Sequence, residues 1–158
     1  MASLKYILFF ILAVLLFTSL TGCKRNVVFD EYANIPDEKW DRTKPVKFSF
    51  LIQDTVQPSD LYINIRNTTT YRFSNIYLFL HTRFPNGKTA KDTIECILAT
   101  NEGKWIGKGY SGIKENKILL RKGIKFQMPG EYSLTIEQAM RMDVLEGISD
   151  IGISIQKQ

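Results

Sequence analysis

The chain carries two thiols, Cys23 and Cys96, and one imidazole, His81. These side chains most often serve as nucleophiles, proton carriers or soft-metal ligands. A structural zinc site needs four such ligands at close spacing, and no such cluster occurs in the sequence. His81 alternates with Tyr77, Phe79 and Arg83, which reads as one face of a strand rather than a base with its catalytic partners. The acids Asp37, Glu38 and Asp41 flank Trp40. Two carboxylates cleave a glycoside only at a set distance across a cleft, and acids bracketing a loop tryptophan read as solvated. There is no Gly-x-Ser-x-Gly elbow, phosphate loop or calcium loop. The sequence therefore predicts no catalytic residue, no metal and no cofactor. Binding chemistry has one candidate. Residues 103–112 contain four glycines together with Trp105 and Tyr110. Either the two rings form an exposed platform for a sugar or a protein partner, or the glycines turn the chain sharply while Trp105 caps the core. The strand face bearing Tyr77, Phe79 and His81 is the next candidate surface.

Cys23 has a different setting. Lys5 is the only charge before position 24, residues 6–17 are all apolar, and Thr18, Ser19, Leu20, Thr21 and Gly22 lead into the cysteine. A positive start, an apolar run and small residues before a cut describe a secretory signal. The run falls short of the roughly 20 residues that span a bilayer. Leu20-Thr21-Gly22-Cys23 resembles the lipobox of bacterial lipoproteins. The resemblance implies that residues 1–22 are removed, that the Cys23 thiol takes a diacylglycerol group, and that the freed amine is acylated. Each buried methylene contributes about 0.8 kcal/mol, so one chain holds marginally and several hold firmly. With Cys23 lipidated, Cys96 has no partner in the chain. Ile94, Cys96 and Leu98 share one face of a strand, so Cys96 reads as a small buried hydrophobe. The net charge of +5 falls to +4 once Lys5 is lost, with charges interspersed along the chain. That pattern predicts no nucleic-acid partner. Lys24 and Arg25 stand where anionic lipid head groups would meet them.

The elements that must position these residues are strands. Val46, Phe48, Phe50 and Ile52 alternate with polar residues. So do Leu61, Ile63 and Ile65; Ile76, Leu78, Leu80 and Phe84; Ile124, Phe126 and Met128; Tyr132, Leu134 and Ile136; and Ile151, Ile153 and Ile155. Pro58-Ser59-Asp60, Pro85-Asn86-Gly87 and Pro129-Gly130 supply turns between them, and Asn86-Gly87 is the strongest hairpin signal. Short antiparallel strands with one wet face predict an all-β fold, an antiparallel β-sandwich over residues 46–158, with a closed barrel as the competing architecture. From Glu137 to Leu145 the alternation lapses. Ile136, Met140 and Val144 fall four apart there, which predicts a short helix. Residues 23–45 have little periodicity apart from Val27-Val28-Phe29, and read as a lipid-anchored tether with at most one edge strand.

Several stretches resemble the gliding-motility lipoprotein family GldH. These are Val28 with Asp30, Glu31, Tyr32, Ile35, Pro36 and Trp40; Phe84-Pro85-Asn86-Gly87; residues 103–109 with Ile113-Lys114-Glu115-Asn116-Lys117; Glu137-Gln138-Ala139-Met140-Arg141; and residues 147–152. The resemblance covers essentially the whole segment after Cys23. It implies a non-catalytic, lipid-anchored envelope protein of the gliding and associated secretion machinery, whose partners are membrane lipid through Cys23 and other envelope proteins. The alternative is a glycan-binding sandwich. No acidic run follows Cys23, which the resemblance makes a mark of an outer-membrane anchor facing the periplasm. Labelled palmitate is expected to enter the protein, and Cys23→Ala to abolish labelling and leave an untrimmed precursor. A labelled, normally trimmed alanine variant would remove the lipid anchor from the reading.

Overall fold

The computed structural model describes residues 26–158. The signal segment and Cys23 lie outside them. The described chain forms ten strands, β1 (Val27–Asn34), β2 (Lys39–Asp41), β3 (Val46–Ile52), β4 (Ser59–Thr68), β5 (Asn75–Arg83), β6 (Thr89–Ile97), β7 (Ile113–Ile124), β8 (Gly130–Gln138), β9 (Val144–Glu146) and β10 (Ile148–Lys157), with one 3-10 turn at Pro36–Glu38. One four-stranded sheet has the order β1-β10-β4-β7, and the other β3-β8-β5-β6; β2 and β9 form a small ribbon. Every pairing is antiparallel. The fold is thus the all-β sandwich that the alternation predicts.

The alternating residues meet in one core. Val46, Phe48, Phe50 and Ile52 of β3 are all buried while Lys47, Ser49 and Leu51 are exposed. Ile76, Leu78, Leu134 and Ile136 from the same sheet join Ile63, Ile65, Ile151, Ile153 and Ile155 from the other. β10 is buried on both faces, because Ser149, Gly152 and Ser154 are covered too. Tyr32 of β1 lies against Gly152, where a Cβ would come within 2.8 Å of the ring. Only glycine permits that approach. The Arg66 guanidinium stacks 4.2 Å from the Tyr32 ring centroid, and the Tyr32 hydroxyl donates to Glu115 Oε1 at 2.5 Å. Burial, with Glu115 adding to it, pushes the Tyr32 hydroxyl well above its ordinary range. This network ties β1, β4 and β7 together across β10.

The sandwich has two poles and two unequal sides. At one pole Lys157 donates to the Asn26 carbonyl at 2.7 Å and Gln158 to that of Pro58 at 3.0 Å. The N-terminal end of the described chain therefore lies at this pole. At the other, Ile35 donates to Ser149, Thr68 to Gly147 and Thr69 to Gly112. One side is closed by aromatic contact between β1 and β3, with Phe29 at 6.3 Å from Phe48 and 5.3 Å from Phe50. The opposite side, between β6 and β7, is spanned near the far pole by the glycine-rich segment, whose Lys108 pairs with Glu115 and Trp105 with Ala99.

Three expectations are corrected. Residues 27–45 are not a free tether. β1 pairs along most of its length with β10, and Trp40 on β2 is buried with its indole N–H on the Lys44 carbonyl. The folded domain thus begins at Val27 rather than Val46. No helix forms between Glu137 and Leu145. β8 runs to Gln138, whose buried side-chain amide donates to Met142 O and accepts from the Met140 N–H. It thereby satisfies a five-residue loop before β9 pairs with β2. Phe126 and Met128 pack on the core from a loop rather than a strand, since β7 ends at Ile124.

Phe50 stacks on Tyr132 at 5.8 Å and touches Phe126 at 6.4 Å. Phe50→Ala is expected to cost about 3–5 kcal/mol in a denaturant melt, and Ser49→Ala within about 0.5 kcal/mol. The reverse ranking would show that the faces of β3 are exchanged.

Candidate functional site

The far pole is built by four loops that hydrogen bonds hold together. Thr69 N–H on the Gly112 carbonyl joins residues 68–74 to the glycine-rich segment. Arg42 joins residues 39–45 to residues 139–143, through its guanidinium on the Met140 carbonyl at 2.6 Å and its backbone N–H on the Asp143 carbonyl at 2.9 Å. Gly109 is required where it stands: a Cβ there would fall 2.3 Å from the Ile113 carbonyl oxygen, a distance no side chain tolerates.

The two aromatic residues singled out by the sequence part company. Trp105 is half-buried and packs on the core, with the following N–H of Ile106 bonded to the Leu98 carbonyl at 2.9 Å. Tyr110 is 94% exposed. The far pole adds side chains that the sequence did not single out as a surface. Phe73, Ile113, Met142 and Val144 are all exposed, with Arg72 and Arg141 next to two of them. Phe73, Met142 and Val144 line a shallow depression with Arg72 and Glu146. Phe73 and Met142 stand singly within loops, and Ile113 and Val144 at the first positions of β7 and β9, so no alternation marks them. Arginine beside exposed apolar side chains is the composition of protein-recognition surfaces.

The other candidate groups are His81 and Cys96. His81 Nε2 is 3.5 Å from Glu137 Oε1, enclosed and without an aligned hydrogen bond. Its neighbours on the wet face are Tyr77, which is exposed, and Phe79 with Lys91 Nζ 4.3 Å from its ring centroid. Cys96 is buried and unpaired among the described residues, and burial pushes its thiol up to about 12. It is therefore a neutral thiol rather than a reactive thiolate. Among the described residues no group of acids, histidine and cysteine is arranged to hold a metal.

The family model for the GldH lipoprotein matches residues 27–155. A gliding motility lipoprotein GldH homolog of Christiangramia forsetii is 37% identical over 164 aligned positions, covering 99% of this chain and 98% of that protein. Gliding motility lipoprotein GldH of Flavobacterium johnsoniae is 33% identical, covering 92% of each. Among solved structures, the chain is similar to dimeric latent PorU from Porphyromonas gingivalis at 12% identity and a TM-score of 0.37, over 87% of this chain and 14% of that one.

Trp105 and Tyr110 separate by thermal melting. Half-burial predicts that Trp105→Ala costs about 2 kcal/mol, a fall of roughly 5 °C. Tyr110→Ala should leave melting within about 1 °C. Equal, negligible shifts would show that Trp105 is not a core cap.

Proposed function

The chain belongs to the GldH lipoprotein family, and from that premise we propose that it is a non-catalytic interaction component of the gliding-motility and associated secretion machinery, anchored through lipid on Cys23. The observation that carries this reading is the polarity of the domain. The described chain starts at one pole, three residues after Cys23, and the exposed Phe73, Tyr110, Ile113, Met142 and Val144 stand at the other, against Leu51 and Val56 at the first. A lipid at the first pole leaves the second free to meet other envelope proteins. The buried neutral thiol and the lone histidine support a role without catalysis. The glycan alternative rests on Trp105 and Tyr110 as one platform; with Trp105 packed on the core and the exposed Tyr110 accompanied by aliphatic side chains, a protein partner is favoured. The absence of an acidic run after Cys23 supports an outer-membrane anchor with the domain in the periplasm.

Crosslinked recovery of the full-length lipoprotein from its own envelope tests the reading. Met142→Asp and Val144→Asp alter exposed side chains and should leave melting unchanged. Partner recovery should fall about thirtyfold, as expected for loss of a 2 kcal/mol contact. Unchanged recovery with both variants and with Tyr110→Ala would place the interface elsewhere. Protease added to intact cells should spare the domain; digestion would mean surface display.

A further inference from the structure

The side of the sandwich between β6 and β7 is closed by the glycine-rich segment only near the far pole. Toward the anchor pole it opens into a cleft of about 470 Å³. Leu61 and Leu120 form one wall and Leu80 and Ile94 the other, while Phe50 and Phe126 lie among the lining aromatics. Phe126 is held at 5.2 Å from Tyr132, whose hydroxyl donates to the Met128 carbonyl at 2.9 Å. The inner end is thus fixed by packed rings rather than by a mobile plug. The polar lining comprises Thr82, Thr93 and Gln127 together with Arg121 and Lys125, which outnumber one carboxylate, Asp92, standing 3.9 Å from Arg121. The Arg121 and Asp92 side chains are both more than half exposed, so the pair is loosely held and solvated.

Its dimensions and chemistry restrict what can enter. A cleft in the range of about 300–1,000 Å³ with apolar walls and a few polar rim groups fits a small ligand. Stacked sheets stand about 10 Å apart, so a helix roughly 10–12 Å across cannot enter between them. A peptide strand would find backbone partners only along the free edges of β6 and β7, in the sheet planes, and none between the apolar walls, where each N–H and carbonyl is costly to leave unbonded. An extended methylene chain brings neither problem, and an anionic head would meet Arg121 and Lys125. The cleft also faces the pole where the chain leads back to Cys23, close to the bilayer in which a lipoprotein is anchored.

We propose that this cleft binds a single acyl chain bearing an anionic head group, a site separate from the lipid on Cys23. The proposal draws on the anchored reading only for the nearness of the bilayer. Cells expressing the full-length chain are grown with a palmitate analogue carrying a diazirine and an alkyne, irradiated, and the labelled peptides mapped. Adducts are expected on peptides holding Ile94, Leu120 or Phe126 as well as on Cys23, and the adduct mass distinguishes a free fatty acid from a glycerophospholipid. Leu120→Glu should reduce the cleft adducts about tenfold while Leu120→Met retains them, since a carboxylate on an apolar wall opposes both the chain and its head. Arg121→Glu, at an exposed rim position, should reduce them several-fold with melting unchanged, and decides the matter if Leu120→Glu does not fold. Label confined to Cys23, or spread over the surface and unaffected by Arg121→Glu, overturns the cleft. Absence of label at Cys23 overturns the anchor instead.

Discussion

The fold depends on burying β10 on both faces. The last strand of the chain lies between β1, the first, and β4. Its isoleucines fill the core while Gly152 and Ser154 lie beneath Tyr32 and beside Asn64. A central strand with no wet face cannot be traded for solvent. Without it β1 has no sheet to join, and the Tyr32–Arg66–Glu115 network loses the surface it spans. The pairing of the two ends of the chain also makes contacts between residues far apart in sequence dominant, an arrangement that closes slowly. The domain becomes a sandwich only when β10, Ile148–Lys157, is in place.

The asymmetry of the two sides follows from where the aromatic residues fall. Phe29, Phe48 and Phe50 draw β1 and β3 together. Between β6 and β7 there is no equivalent bridge. Instead, one backbone segment is laid across part of the gap, with Gly107 passing over Asn116 so closely that a Cβ would lie 2.8 Å from its side chain. Covering a gap with backbone leaves no side-chain volume to fill what lies beyond the cover, and an open cleft remains.

The sequence was legible wherever one strand face met the core. In β3, β5 and β8 the alternation maps directly onto burial. β7 was missed because its inward row begins with Lys114 and Asn116 before reaching Ile118 and Leu120. Asn116 is accepted in the interior by donating to the Ile65 carbonyl and to Asn67, a compensation invisible without its partners. β1 shows in the sequence only as a three-residue edge strand, Val27-Val28-Phe29, within a tether, because the partner that extends it lies at the opposite end of the chain. The loop at residues 139–143 mimicked a helix because Met140 fills the core from a turn fixed by Gln138. Of the candidate pair, Tyr110 is exposed and Trp105 packs on the core, a division that the shared glycine-rich setting does not announce. Phe73, Met142 and Val144 became a surface only when separate loops converged.

The placement of the two poles has a mechanical meaning. β10 spans ten residues, and at about 3.3 Å per residue it separates the poles by roughly 33 Å. With lipid at Cys23, only a few residues join the bilayer to the first strand, because β1 is locked into the sheet rather than left as slack. From β1 onward the domain is therefore one packed body, with no slack between its first strand and its core. Were Cys23 lipidated, the length of the segment before Val27 would set how far from the membrane the exposed side chains of the far pole can reach, so lengthening it would change which layer of the envelope they can touch.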